Sequence, residues 1–179
     1  MRVNIDLSAI QSKDTIIAAN NRQALAIKQS MPLISGTSKM PKIFSYQSWI
    51  EKFWRSHHPT KEYRLLSQLE LRFMLKKFCK DSSVKNPDTF IDELIKCYRL
   101  SKSYGISVAE IKTFPSITSK LYVELVDRYE KFKDNNLCID QTDIFSLSLG
   151  NFKNVLDSEE QYYQYGFNEP TPEQRMLFK

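Results

Sequence analysis

The chain has 179 residues, of which 41% are hydrophobic and 26% charged, and this balance excludes an intrinsically disordered polymer. Its apolar runs are far shorter than the roughly 20 residues that cross a bilayer, and its first ten residues lack the apolar core of a signal peptide. We therefore expect a cytoplasmic protein with no membrane partner. The net charge of +5 permits attraction to a nucleic-acid backbone but does not demonstrate it.

The first predicted unit is a strand followed by a helix. Residues 15–18 (TIIA) form a short apolar run that predicts a strand, and the polar break and helix-forming residues after it predict a tight loop and a helix. Asn20 is the expected N-cap of this helix, and Pro32 is its expected end. Residues 33–40 are predicted as a loop.

A second unit of the same kind follows. Residues 42–46 (KIFSY) predict a strand, and residues 48–54 predict a helix with apolar side chains at positions 49, 50, 53 and 54. Two strand–helix units in succession predict parallel strands joined by crossover helices.

Between residue 66 and about residue 156 the pattern predicts helices only. Ser67 and Ser107 each precede a glutamate by three residues, which is the spacing of a capping box at a helix start. Pro87 is expected in the first turn of another helix, and Gly105 is expected to end it. Further amphipathic helices are predicted around residues 121–132 and 144–149.

The end of the chain returns to the opening pattern. Residues 162–167 predict a strand, and residues 171–174 (TPEQ) predict the capped start of a helix. The expected fold class is therefore α/β, with a small parallel sheet, crossover helices and a large all-helical insertion. We assign residues 1–60 and 158–179 to the α/β core and residues 61–157 to the helical insertion. A third strand returning beside the first two is the economical arrangement.

Several short motifs carry a resemblance to a known family. They are, in chain order, residues 18–24 (AANNRQA), 45–50 (SYQSWI), 137–144 (LCIDQTDI), 166–167 (GF) and 171–174 (TPEQ). Together they resemble the N-terminal part of bacterial RecB/AddB-like helicase–nucleases, which include probable DNA repair proteins of the PD-(D/E)XK superfamily. The resemblance implies a degenerate superfamily 1 helicase core of the 1A type with a 1B-like insertion. It also implies DNA and a helicase–nuclease subunit as partners, and a nuclease domain that this chain does not contain.

The residues that would hydrolyse ATP are missing from the matching positions. A nucleotide-binding loop needs glycines and a Gly-Lys-Ser/Thr end so that its backbone N–H groups surround the phosphates. The loop after the first strand has neither glycine nor lysine, and none of the four glycines of the chain precedes a lysine. Counting back nine residues from Gln174 places Tyr165 and Gly166 where the family has its acidic Walker B pair. We therefore predict no catalytic residue and no cofactor.

Two acidic groups allow a metal-dependent interpretation beside a structural one. Asp88, Asp92 and Glu93 precede Lys96 as nuclease ligands would, but the pattern favours the solvated face of one helix. A second group, Asp140 and Asp143, is either a metal pair or the cap of the following helix, and its spacing favours the cap.

The three cysteines and two histidines do not form a metal motif. The cysteines are widely spaced without a CxxC pair, and the two histidines are neighbours in the sequence. A zinc site uses about four ligands at short paired spacing, so we expect free thiols and no bound metal. The cysteines are Cys79, Cys97 and Cys138.

Ligands of open α/β sheets bind at the carboxyl ends of the parallel strands, so the residues after the first two strands are candidates for DNA contact. For Asn20 a capping role competes with contact, and Trp49 belongs to an aromatic group that either stacks on bases or packs in the core. The candidates are Asn20, Asn21, Arg22, Ser45, Tyr46 and Trp49. The expected function is a non-catalytic, helicase-like module that grips or guides DNA and scaffolds a distant nuclease. The alternative is a helical protein-interaction module that docks a partner subunit without touching DNA.

Overall fold

The computed structural model describes residues 7–35, 40–57, 63–80, 84, 87–156 and 161–177. Within these ranges a short 3-10 helix, Leu7–Ala9, precedes strands and helices that make the protein a mixed α/β chain. The strands are β1 Thr15–Ala18, β2 Lys42–Ser45, β3 Arg64–Leu65, β4 Cys138–Ile139 and β5 Tyr162–Tyr165. The helices are α1 Asn21–Ser35, α2 Tyr46–His57, α3 Gln68–Lys80, α4 Pro87–Tyr104, α5 Val108–Lys112, α6 Ile117–Asn135, α7 Gln141–Leu156 and α8 Pro172–Leu177.

The main sheet has three parallel strands in the order β2-β1-β5. The central strand β1 is buried along its whole length, as expected for a strand with a neighbour on each side. The last strand of the chain returns beside the first, with Ala18 opposite both Ser45 and Tyr165. A small parallel sheet with crossover helices is therefore confirmed.

The first helix begins as predicted but ends later. The side-chain oxygen of Asn20 accepts a hydrogen bond from the backbone N–H of Gln23 at 2.9 Å, which confirms the N-cap. The prediction that Pro32 ends the helix is wrong, because α1 continues to Ser35, and residues 33–35 of the predicted loop are helical. We attribute the continuation to packing, since Met31 is fully buried on the face that α1 presents to the sheet. Residues 36–39 of the same predicted loop lie outside the described residues.

The second helix begins earlier than predicted. Tyr46 was expected at the end of the strand, but it is the first residue of α2. Ser45 caps this helix, because its hydroxyl oxygen accepts a hydrogen bond from the N–H of Ser48 at 3.3 Å. The predicted apolar face is confirmed: the four side chains are buried, and they are Trp49, Ile50, Phe53 and Trp54.

The capping signals of the helical block are confirmed. Ser67 and Glu70 exchange hydrogen bonds at the start of α3, as Ser107 and Glu110 do at the start of α5. Gly105 follows α4 with a φ of +69°, a conformation that favours glycine at a helix end.

The prediction of helices only in this block is wrong at one point. The two-residue strands β3 and β4 pair in parallel, with Arg64 opposite Cys138 and Leu65 opposite Ile139. The N–H of Leu66 extends the ladder to the carbonyl of Ile139 at 2.7 Å. Strands of two residues are too short to show an alternating pattern, and their partners are distant in sequence.

The chain divides into two compact units. Unit 1 contains Met1–His58 and Phe145–Pro170, and unit 2 contains Pro59–Ile144 and Thr171–Lys179. This division differs from the predicted boundaries in two segments. Most of α7 packs with unit 1, where Phe152 stacks on Trp49 at 5.4 Å between ring centroids, whereas α8 packs against α4 within unit 2. Among the described residues, no helix has the combination of length and apolar character needed to cross a membrane.

Candidate nucleic-acid interface

The carboxyl ends of the three parallel strands in unit 1 form one edge. Ser45, Ala18 and Tyr165 are side by side at this edge, since they are register partners. The turns that follow the strands therefore leave the sheet on the same side, which is the side where open α/β sheets bind ligands. The predicted candidates that lie at this edge are Asn20, Asn21, Arg22, Ser45, Tyr46, Tyr165 and Gly166.

The turn between β1 and α1 contains only Ala19 and Asn20. The N–H of Ala19 donates to the carbonyl of Tyr165 at 2.9 Å, so it is used within the sheet. The side-chain oxygen of Asn20 accepts a hydrogen bond from the N–H of Gln23, and the backbone carbonyl of Asn20 accepts one from the N–H of Ala24. A phosphate-binding loop needs such N–H groups to point at the ligand. Here the N–H groups of Ala19 and Gln23 are bonded within the protein itself.

The side chain of Gln23 lies against Gly166 at the end of β5. A Cβ added at Gly166 would overlap the carboxamide of Gln23, and Gly166 also has a φ of +77°. Only glycine therefore fits this position without strain. The oxygen of the Gln23 carboxamide is buried and has no hydrogen-bond partner among the described residues. The space between the first turn of α1 and the end of β5 is thus filled by the protein's own side chain.

The position predicted to match the Walker B pair carries no acidic group. Tyr165 packs against the apolar core of unit 1, and Gly166 and Phe167 follow it. Within the described ranges, no three His, Cys, Asp or Glu side chains are grouped as a metal site would require. The end of β5 therefore offers an aromatic and a glycine where magnesium chemistry needs carboxylates.

An exposed surface remains at the same edge. The side chains of Asn20, Asn21 and Arg22 are exposed. The half-buried rings of Tyr46 and Phe167 meet edge to face, with 6.1 Å between their centroids. Phe167 was not among the sequence candidates, and the signal for it was its place directly after the glycine that follows β5. Cation, amides and aromatic rings together are groups that bind single-stranded nucleic acid.

The structure removes two candidates from this surface. Trp49 is 5% exposed, and its ring stacks on Phe152 and lies 5.6 Å from the ring of Phe53. It belongs to the core and presents no face to a base. Ser45 is 3% exposed and uses its hydroxyl to cap α2, so it is also unavailable.

Unit 2 contains a buried polar cluster around the start of α7. Asp140 accepts a hydrogen bond from the N–H of Thr142 at 2.7 Å, and the N–H of Asp140 donates to the carboxylate of Asp143 at 3.0 Å. The capping interpretation of both aspartates is therefore confirmed. The hydroxyls of Tyr98 and Tyr129 also donate to Asp140, at 3.1 and 3.0 Å.

Lys133 supplies the buried positive charge of this cluster, and Lys102 is a second, more exposed cation beside Glu130 and Asp143. The Lys133 side chain is 2% exposed, and its ammonium lies 2.7 Å from Asp143, 2.9 Å from Glu130 and 3.4 Å from Asp140. Burial opposes its charge, but the attraction of Asp140 and Asp143 outweighs burial and raises the pKa of Lys133. Burial and the nearby charge of Asp140 raise the pKa of Asp143. The Lys133 ammonium lies against both carboxylates, so the two aspartates hold α6 to the start of α7 within unit 2.

The acidic residues of α4 are an ordinary solvated face. Asp88 pairs with Lys76 on α3 at 2.6 Å, and Asp92 pairs with Arg72. Hydrogen bonding to Lys76 lowers the pKa of Asp88, which keeps it charged. Their side chains are 61% and 59% exposed, so they are not assembled as a nuclease site.

The sequence matches no protein-family model and no curated protein.

Proposed function

We propose that this chain is a non-catalytic, helicase-like module of a DNA repair or recombination helicase–nuclease. It binds or guides DNA through the carboxyl edge of its parallel sheet and does not hydrolyse ATP. The observation that carries the proposal is the two-residue turn between β1 and α1, which has no glycine and no lysine and at which the N–H groups of Ala19 and Gln23 are bonded within the protein.

A triphosphate requires several free N–H groups, a lysine and a carboxylate-bound magnesium ion. The turn has no glycine and no lysine, the N–H groups of Ala19 and Gln23 are bonded within the protein, and the Gln23 side chain fills the space beside Gly166. These features support a module that kept the architecture of the sheet without its phosphate chemistry.

Arg22 is exposed in the first turn of α1, where a phosphate group would meet both its guanidinium and the positive end of the helix dipole. Tyr46 and Phe167 give aromatic surface at the same edge, and stacking on such rings contributes about 1–3 kcal/mol per base. The mode of binding that fits these groups is a single strand held by its backbone and one or two bases.

The test is a fluorescence anisotropy titration of the chain with a labelled single-stranded oligonucleotide at several salt concentrations. We expect Arg22→Gln to weaken binding, and to lower the slope of log affinity against log salt by about 0.7, the value for one phosphate contact on a single strand. Lys28→Gln is the matched control, because Lys28 is exposed on the same helix but belongs to a later turn. It should leave the slope near the wild-type value.

Two outcomes would count against the proposal. Absence of binding at low salt would remove the DNA role, and equal loss of affinity in both variants would show that only net charge matters. Absence of binding would favour the alternative, a protein-interaction module. That alternative has its own support in unit 2, where Leu69 on α3 is 77% exposed and Phe73, one turn later, is 66% exposed.

A further inference from the structure

Helices α3 and α4 of unit 2 flank an open groove of about 580 Å³. Its apolar lining comes from Leu69 on α3 and from Ile95 and Leu100 on α4. Leu69 is 77% exposed and Leu100 is 48% exposed, so two large apolar side chains of one groove face solvent. Single exposed leucines are normal on protein surfaces, whereas a lined groove of them marks an interaction site.

The rim of the groove is positively charged. It carries Arg72, Lys96 and Arg99 against one carboxylate, Asp92, which pairs with Arg72. Lys96 has only a 3.9 Å contact with Glu93, and both of these side chains are about two-thirds exposed. Within the described part of the chain, no carboxylate lies within 4 Å of the Arg99 guanidinium. The groove therefore has an excess of positive charge around an apolar floor.

We propose that this groove binds an amphipathic helix of a partner protein, with acidic residues on both sides of its apolar stripe. A helix laid between two helices places side chains spaced by three, four and seven residues into the groove between them. Its carboxylates would pair with Lys96 and Arg99 at the rim, and its apolar side chains would cover Leu69 and Leu100. The proposal concerns unit 2 and does not depend on DNA binding by unit 1.

Charge and polarity argue against two other occupants. A second copy of this chain would bring the same cations to the contact, and like charges across an interface are unfavourable. The phosphates of a nucleic-acid backbone would pair with the cations of the rim, but the leucines would then face a charged, hydrated surface. An acidic amphipathic helix would cover the apolar floor with its apolar side chains and pair its carboxylates with the positively charged rim.

The probe is a designed 18-residue helical peptide. Its leucines alternate at spacings of four and three residues, so that they form one stripe along the helix, and glutamates flank this stripe. A second peptide carries lysine in place of each glutamate. We expect the glutamate peptide to bind the chain with an affinity that falls as salt rises, and the lysine peptide not to bind. The double variant K96E/R99E should bind the glutamate peptide with an affinity at least tenfold lower than the wild type. It should also bind the lysine peptide, which the wild type does not. Lys120→Glu, an exposed charge reversal on α6, is the matched control and should change neither affinity.

Leu69→Ser tests the apolar floor, and we expect it to lower the affinity for the glutamate peptide. The melting temperature of the chain should not change, because the Leu69 side chain is exposed. The proposal is overturned if neither peptide binds, or if K96E/R99E leaves the affinity unchanged. It is also overturned if sedimentation shows a dimer that Leu69→Ser dissociates, because the groove would then bind a second copy of the chain. The same holds if R99E abolishes the binding of single-stranded DNA while Arg22→Gln leaves it intact, because the groove would then bind nucleic acid. Since the Arg22 and Arg99 variants are separate, failure of this proposal and failure of the DNA proposal are distinguishable.

Discussion

Lys133 is held in unit 2 by three carboxylates and by the hydroxyl of Tyr98, which lies 2.9 Å from its ammonium. A lysine that is 2% exposed would ordinarily lose its proton, because burial disfavours the charged form. Here the negative charge of Asp140 and Asp143 reverses that effect and raises the pKa of Lys133. The residue is therefore a structural counter-ion, and its removal would leave the two aspartates buried with like charges.

We predict that Lys133→Met lowers the free energy of unfolding by about 3–5 kcal/mol, the cost of breaking a buried ion pair on one side. Urea unfolding followed by circular dichroism measures this change. The control is Lys131→Met on the same helix, because Lys131 is 70% exposed and its one ion pair among the described residues is with Asp127. Its effect should be below about 1 kcal/mol. Equal effects of the two substitutions would mean that the cluster is not specifically stabilising.

Single residues also show how far a local pattern can mislead. The spacing of Trp49, Phe53 and Trp54 fits both a stacking surface and a core face, and the helical spacing favoured the core without excluding stacking. Their partner Phe152 is about 100 residues away in the chain and completes a buried aromatic group with Trp49 and Phe53. No periodicity in α2 encodes that partner.

At the level of elements, helix starts were the best predicted features. Asn20, Ser67, Ser107 and Thr171 all cap helices as expected, because a cap and its backbone donor are within three residues of each other. The same reasoning failed for Pro32, where packing of a buried face carried α1 onward. It also missed β3 and β4, since neither strand has enough residues to show a period.

The capping and DNA-binding roles of Asn20 are separable by two substitutions. We predict that Asn20→Ala lowers the free energy of unfolding by about 1 kcal/mol, whereas Asn20→Asp keeps the cap and leaves it nearly unchanged. If the edge also meets DNA, the added negative charge of Asn20→Asp should weaken single-strand binding. Urea unfolding and anisotropy measure the two effects. Wild-type DNA affinity in Asn20→Asp would assign Asn20 to capping alone.

At the level of the whole molecule, strand order decides which residues meet. Because β5 returns beside β1, Gly166 comes to lie under Gln23, although the two are far apart in sequence. That contact closes the space beside the first turn of α1. The sequence showed that the glycines and the acidic pair were absent, but it did not show that another side chain occupies their place.

We therefore predict that magnesium and ATP leave the melting temperature of the intact chain unchanged. A ligand at 100 times its dissociation constant would stabilise the folded state by about 2.7 kcal/mol, which a thermal scan detects readily. A non-hydrolysable analogue serves as a second probe, so that turnover does not hide binding. A shift that depends on the concentration of either ligand would contradict the non-catalytic proposal.

The sequence by itself determined the α/β class, the strand–helix units at both ends and the caps of the helices, because these depend on residues close together in the chain. It also predicted the edge of the sheet at which the candidate residues gather. Only the tertiary structure decided that Trp49 and Ser45 are buried, that Lys133 lies between two aspartates, and that α7 joins unit 1 while α8 joins unit 2. These features depend on contacts between distant segments, whose energies come from burial and from charge pairing that no local pattern records.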